Sequence, residues 1–425
     1  MRIRIHNGHI IDPANGIDGP GNVYIEDDRI IAVTDQPLEF ESDRDIDGRG
    51  NLICPGFIDL GARFREPGME HKATIASESL AAVSAGITTV CYPPDTDPVI
   101  DTSSVVELIH QRTAILKLTR IFPLGALTHG LNNERLADMF TLIEAGCIGT
   151  SNAGRPIENT ELLRRALEYA AGFDIAVFIQ AEDFYLRNNG VINEGPISTR
   201  LGLPPIPETA ETTAISKVLL LVEQTGARVH FCRLSSARSA AMIGSAKQSG
   251  LHVTADVGIG YLHLTELDVD NYNVNCHLNP PLRTERDRDA LRQSLKEGII
   301  DAVCSDHQPH DDDAKSAPFS LTEPGASTIE VLFPLINDLI DKKQLTATRA
   351  IAAITVNPAR ILGLELGSLG TGCKADIAII DPGHSWRLDK NALLSAGKNT
   401  PFDGRDMMGK VTHTFIDGRL VYEAK

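Results

Sequence analysis

A chain of 425 residues, 42% hydrophobic and 23% charged, is long enough for one large barrel with an appended unit, or for two or three ordinary domains. A formal charge of −17 repels phosphate backbones and anionic lipid surfaces, so nucleic acid and membranes are excluded as expected partners. No stretch approaches the roughly 18 uninterrupted apolar residues of a membrane span, and Met1 to Asp12 has no apolar signal region, so the chain reads as cytoplasmic.

The first fifty residues alternate charged and apolar side chains in strand fashion, as in Arg2-Ile3-Arg4-Ile5, Gly21 to Ile25 and Arg29 to Val33, with Asn7-Gly8 as turn punctuation. From Cys54 the pattern changes to short apolar runs, each followed by a helical period. The runs are Cys54 to Leu60, Ile87 to Tyr92, Ile115 to Leu124, Cys147 to Ser151, Ile175 to Gln180, Arg228 to Leu234, His252 to Val257 and Ile299 to Ser305. Asn159 to Ala171, Glu211 to Gln224 and Glu285 to Glu297 read as helices between them, with Asn159 as a cap and Thr284 with Asp287 as an acidic capping box. Asp311-Asp312-Asp313 reads as a solvated loop, and Leu366 to Gly372 as a turn and not a phosphate loop. The strand style returns in Ala375 to Ile380 and Lys410 to Ile416.

Eight strand–helix alternations predict an α/β protein built as a (β/α)8 TIM-type barrel over residues 54–364, with a small β-sandwich domain formed by 1–53 and 365–425. Chemistry in such a barrel belongs at the C-terminal strand ends. The seven cysteines are scattered, odd in number and without a CxxC pair, which argues against disulfides or a cysteine-based zinc site; most read as small buried residues.

At the first strand end the chain reads Asp59-Leu60-Gly61-Ala62-Arg63-Phe64-Arg65-Glu66-Pro67-Gly68. This resembles the opening signature of the dihydroorotase branch of the cyclic amidohydrolases, D-x-H-x-H-x-R-E-P-G, with Gly61 and Arg63 at the two histidine positions. Alternate residues on a strand face one side, so H-x-H aims two imidazoles at one metal. Glycine offers no ligand, and arginine brings a permanent positive charge.

The resemblance runs through almost the whole chain. Asn152 and Ala153 stand where the family has acidic residues, Gln180 and Arg233 where it has ligand histidines, and only Asp306, in Ser305-Asp306-His307, keeps its ligand identity. A dication beside two arginines would meet repulsion of the order of a few kcal/mol per pair even at an effective dielectric of about 20. The expectation is therefore no bound metal, no cofactor and no enzymatic activity, with Asp306 and His307 as vestiges in a buried polar network. Arg63 and Arg233 are expected to pair with Asp59, Glu182 or Asp306, and His230 and His252 to be satisfied core histidines.

By the resemblance, Arg65 and Asn279 are remnants of the substrate pocket, while Asp95 replaces an asparagine and is expected to repel a carboxylate ligand. The resemblance also implies a partner: the chain is similar to non-catalytic members that assemble with the aspartate carbamoyltransferase catalytic chain in pyrimidine biosynthesis, as a homodimer within a hetero-oligomer. Two other readings stand beside it, a weakly active or single-metal cyclic amidohydrolase with Asp306 as base, and a carboxylate sensor built on Arg63, Arg65 and Arg233.

Overall fold

The computed structural model describes residues 1–424. Eight short strands, Phe57–Asp59, Ile87–Tyr92, Arg120–Ala126, Gly149–Ser151, Val177–Ile179, Val229–Phe231, Val253–Gly258 and Ala302–Cys304, pair in parallel in chain order. The first and last meet through the backbone of Ser305, which donates to the Asp59 carboxylate at 2.9 Å, and through a parallel bridge between Ala62 and His307. The nearly closed parallel barrel expected from the alternation is thus present.

The predicted runs overshoot these strands because apolar residues continue into the helices that pack outside them. Ile115 and Leu116, for example, end the helix Ser103–Leu116, and the strand begins only at Arg120. Helix ends follow local chemistry closely. Asn159 caps Thr160–Gly172 through its side chain, and Thr284 and Asp287 form the reciprocal capping box of Glu285–Glu297. Inside the barrel, Ile58, Leu60, Cys91, Leu124, Phe178 and Cys304 fill the floor below the mouth.

Both termini contribute to one mixed eight-stranded sheet: Arg2–Asp12, Ile17–Glu26, Arg29–Thr34, Arg44–Asp47, Leu52–Pro55, Ile377–Arg387, Asp406–Ile416 and Arg419–Glu423. Ile3, Ile5, Ile25, Ile53, Ile377 and Phe415 form its fully buried side, in keeping with the period-two alternation of the sequence.

The run from Cys54 to Leu60 is two strands. Leu52–Pro55 pairs with Ile377 to Ile380 in the terminal sheet, and Phe57–Asp59 pairs with the second barrel strand. Gly56 marks the switch, since a Cβ there would lie 2.3 Å from the Thr88 methyl group. Arg120, at the start of the third barrel strand, fastens the two units together with both terminal nitrogens on Asp376, at 2.5 and 3.0 Å, and one on Asp417 at 2.6 Å. No helix of the described residues is long and apolar enough to cross a membrane.

Candidate site at the barrel mouth

A narrow cavity of about 30 Å³ opens among Gly61, Arg63, Gln180, Cys232, Arg233 and Asp306. The fold therefore gathers five of the six positions that the resemblance matched to metal ligands; the sixth, Asn152, lies behind them. Its side chain donates to the Gln180 carbonyl at 3.1 Å and accepts from the Gln180 N–H at 3.1 Å, which holds the fourth and fifth strand ends together.

These residues do not fit the family's pair of metals. Among the six, Asp306 is the one anionic donor, and it is already held by Arg233 at 2.7 Å and by the Gln308 amide at 2.9 Å. Arg233 also donates to the side-chain amide oxygen of Gln180, Oε1. Burial works against the charge on Arg233, but Asp306 outweighs it and raises the guanidinium above its ordinary range. Arg65, Ala153, Arg233 and Asp306 all sit at positive φ, between 49 and 66°, so the surrounding structure holds these strand ends in a conformation that L residues rarely take.

Arg63 departs from expectation. Its partner is neither Asp59 nor Glu182 but Asp95, which accepts from Nε at 2.7 Å. Burial pushes Asp95 up, yet the charge and hydrogen bond of Arg63 outweigh that and hold the carboxyl below its usual range. Asp95 is thus neutralised by Arg63, and the expectation that it repels a carboxylate ligand is corrected. Arg63 commits only Nε, which leaves its terminal nitrogens on a residue lining the pocket. Gln180 Nε2, on the same wall, and Asn279 Oδ1 are buried with no partner among the described residues.

Arg65 turns away from this group, with its Nε on the Pro309 carbonyl at 3.0 Å and a terminal nitrogen 3.2 Å from His310. Asp306 and His307 are neighbours in sequence but not a pair in space. His307 Nδ1 accepts from the Thr328 N–H at 3.1 Å, so Nε2 carries the proton and donates to Glu78 at 2.7 Å. Burial pushes Glu78 up, but His307 outweighs it and leaves the carboxyl below its ordinary range. Both side chains are fully buried. Glu78→Ala would orphan the His307 N–H and the Ala396 N–H, now 3.0 Å from the carboxylate, and is expected to lower stability by about 2–5 kcal/mol in urea denaturation.

His230 is the satisfied core histidine expected, but sequence reasoning missed Asp256 and its place beside His230 and Cys232. His230 and Cys232 alternate on and just past the sixth strand, so they face the barrel interior together, and the register sets Thr254 opposite His230. Asp256, two residues beyond Thr254, lies 2.9 Å from His230 Nε2, and its other oxygen accepts the Arg233 N–H at 2.6 Å. The signal was present as a His-x-Cys alternation, masked because neither residue belongs to the family motif.

The amidohydrolase family model matches residues 52–421. A dihydroorotase-like protein of Pseudomonas aeruginosa is 41% identical over 429 residues, with 100% of both chains covered. A protein of Anaeromyxobacter dehalogenans named dihydroorotase is 40% identical over 421 residues, covering 99% of this chain and 97% of its own. The solved L-hydantoinase (dihydropyrimidinase) of Arthrobacter aurescens shares the fold with a TM-score of 0.88 at 22% identity, over 99% of this chain and 96% of that one.

These relatives overturn the expectation of a chain without enzymatic activity: near-full-length relatives at 38 and 40% identity carry the name dihydroorotase. The exchange of individual ligand positions does not carry that conclusion, because a barrel has other strand-end donors to use. With 370 of its residues under one family model and full-length relatives above 40% identity, this chain belongs to the amidohydrolase family, in its dihydroorotase branch.

Proposed function

We propose that this chain serves pyrimidine metabolism by binding a small carboxylate-bearing ureide, of the dihydroorotate or carbamoyl aspartate kind, at the barrel mouth. The observation that carries the reading is Arg63, buried at the pocket wall, tied to Asp95 by Nε alone and facing a cavity where Gln180 Nε2 lacks a partner. A carboxylate on the terminal nitrogens would complete a bidentate pair, and a ureide carbonyl would satisfy the amide. In this reading Asp306, held through Oδ1 by Arg233 and Gln308, would take up the proton of the water that opens the ring amide, and return it on closure.

A ligand that binds the native state alone raises stability by about 2.7 kcal/mol at 100 times its Kd. Carbamoyl aspartate is accordingly expected to raise the melting temperature of the purified chain, and Arg63→Met to abolish the rise. A rise of equal size with sulfate would reduce the site to a general anion hole and sink the reading. Loss of dihydroorotate, followed on the same protein, measures turnover.

Assembly with the catalytic chain of aspartate carbamoyltransferase, as a homodimer within a hetero-oligomer in the cytoplasm, is the partner reading. It is supported by the dihydroorotase-branch membership, since a transcarbamoylase acting on aspartate makes carbamoyl aspartate, and by neighbouring exposed aromatics, Phe184 and Tyr185, on a short helix after the fifth barrel strand. Co-purification of the untagged chain from its own cells tests it; a chain that elutes alone, at the mass of a single protein, counts against it.

A further inference from the structure

We propose that His230, Cys232 and Asp256 form a single-ion site for a zinc-type divalent cation, deeper in the barrel than the positions matched to the family's metal ligands. One ligand atom from each, an imidazole nitrogen, a thiol sulfur and a carboxylate oxygen, lies within 4.8 Å of the others. The arrangement repeats on the sixth strand the alternation that H-x-H exploits on the first: His230 and Cys232 face one side, and Asp256 reaches them from the neighbouring strand. Imidazole, thiolate and carboxylate together suit zinc, and a set of three protein ligands leaves a fourth position for water or substrate.

Three further observations support the assignment. His230 Nδ1 is 2.9 Å from Thr254 Oγ1, a hydroxyl that can accept from a ring N–H, so when an ion takes the place of the proton that Nε2 now gives to Asp256, the tautomer with the proton on Nδ1 is held by Thr254 and turns the Nε2 lone pair toward the cluster. Asp256 is oriented by the Arg233 N–H on one oxygen, which turns the other toward His230. Cys232 and Asp256 both line the mouth pocket, so the open coordination position faces the cavity where a ligand is received.

Charge also balances. A thiolate and a carboxylate supply two negative charges to a dication, the Cys232 proton leaving to solvent, while Arg63 and Arg233 are already neutralised by Asp95 and Asp306. Cys304 is a neighbour of the site and not a ligand: its sulfur donates to Asp256 at 3.6 Å.

The full chain, stripped of metal with a chelator, is titrated with Co(II) and then with Zn(II). One equivalent of cobalt is expected to produce a thiolate-to-cobalt charge-transfer band in the near ultraviolet, which zinc then removes. Cys232→Ser is expected to lose the band, and Cys304→Ser to keep it. Thr254→Val is expected to keep the band with affinity weakened by roughly 10–100-fold, as for other partners that orient a ligand histidine. Absence of the band in the unaltered protein, or its survival in Cys232→Ser, overturns the proposal. Absence of the band in the unaltered protein overturns the proposal whatever the variants do, and the band kept by Cys304→Ser shows that a buried serine exchange at this place leaves the site able to form. The carbamoyl aspartate measurement is made without added metal, so each reading fails separately.

Discussion

Between pH 6.5 and pH 4.5 the folded chain is expected to lose about 2 to 3 kcal/mol of stability for each of three buried histidines. Burial holds His263 down to about 3, His277 to about 4 and His310 to about 2, from the ordinary 6.5. Arg405 adds to the effect on His263, Lys315 to that on His277, and Arg65 and Lys72 to that on His310. The sign follows from linkage: the unfolded chain takes up protons near pH 6.5 that the folded chain refuses, so stability is full above that pH and falls as the pH drops toward each folded value.

Together the three losses come to about 6–9 kcal/mol, comparable with the whole stability of an ordinary domain. Burial raises Asp59, Glu182 and Glu330, which work in the opposite sense, so single variants identify the source better than the total does. His263→Gln and His310→Gln are each expected to flatten the pH dependence of urea unfolding by about one proton. A slope unchanged in both variants would remove the histidines from the explanation.

The legible parts of this molecule were those fixed by local chemistry. Asn159 and Thr284 announced helix starts because capping needs only a side chain and the next turn, and Ile87 to Tyr92 announced a strand with its true ends. Cys54 to Leu60 hid its break because Gly56 is required by Thr88, which is distant in sequence. The site divided in the same way. Period-two geometry placed Gly61 and Arg63 at one mouth, but the choice of Asp95 as the partner of Arg63 depends on where the second strand's loop lands. His307 belonged with Asp306 in sequence and with Glu78 in space, since the backbone of Thr328 takes one ring nitrogen and Glu78 the other. His230 read as a satisfied core histidine and Cys232 as a small buried residue, because the family pattern directed attention one residue further, to Arg233.

The pair formed by Arg233 and Asp306 should dominate mutational stability at the mouth. Both side chains are more than nine-tenths buried, so removing one partner strands a charge that water cannot reach. Arg233→Met and Asp306→Asn are each expected to cost about 3–5 kcal/mol in urea denaturation. Arg233→Met leaves Asp306 with only the Gln308 amide, and Asp306→Asn leaves Arg233 with Gln180. Combining the two removes both charges together, so the double variant is expected to lose far less than the sum, with a coupling of about 3 kcal/mol at the upper end for residues in contact. Asp95 is 24% exposed, and water can take over part of what Arg63 gives it, so Asp95→Asn should cost less than Asp306→Asn. Additive losses in the double variant, or single losses below about 1 kcal/mol, would mean that the two groups are solvated independently and that the ion pair does not hold the sixth and eighth strand ends together.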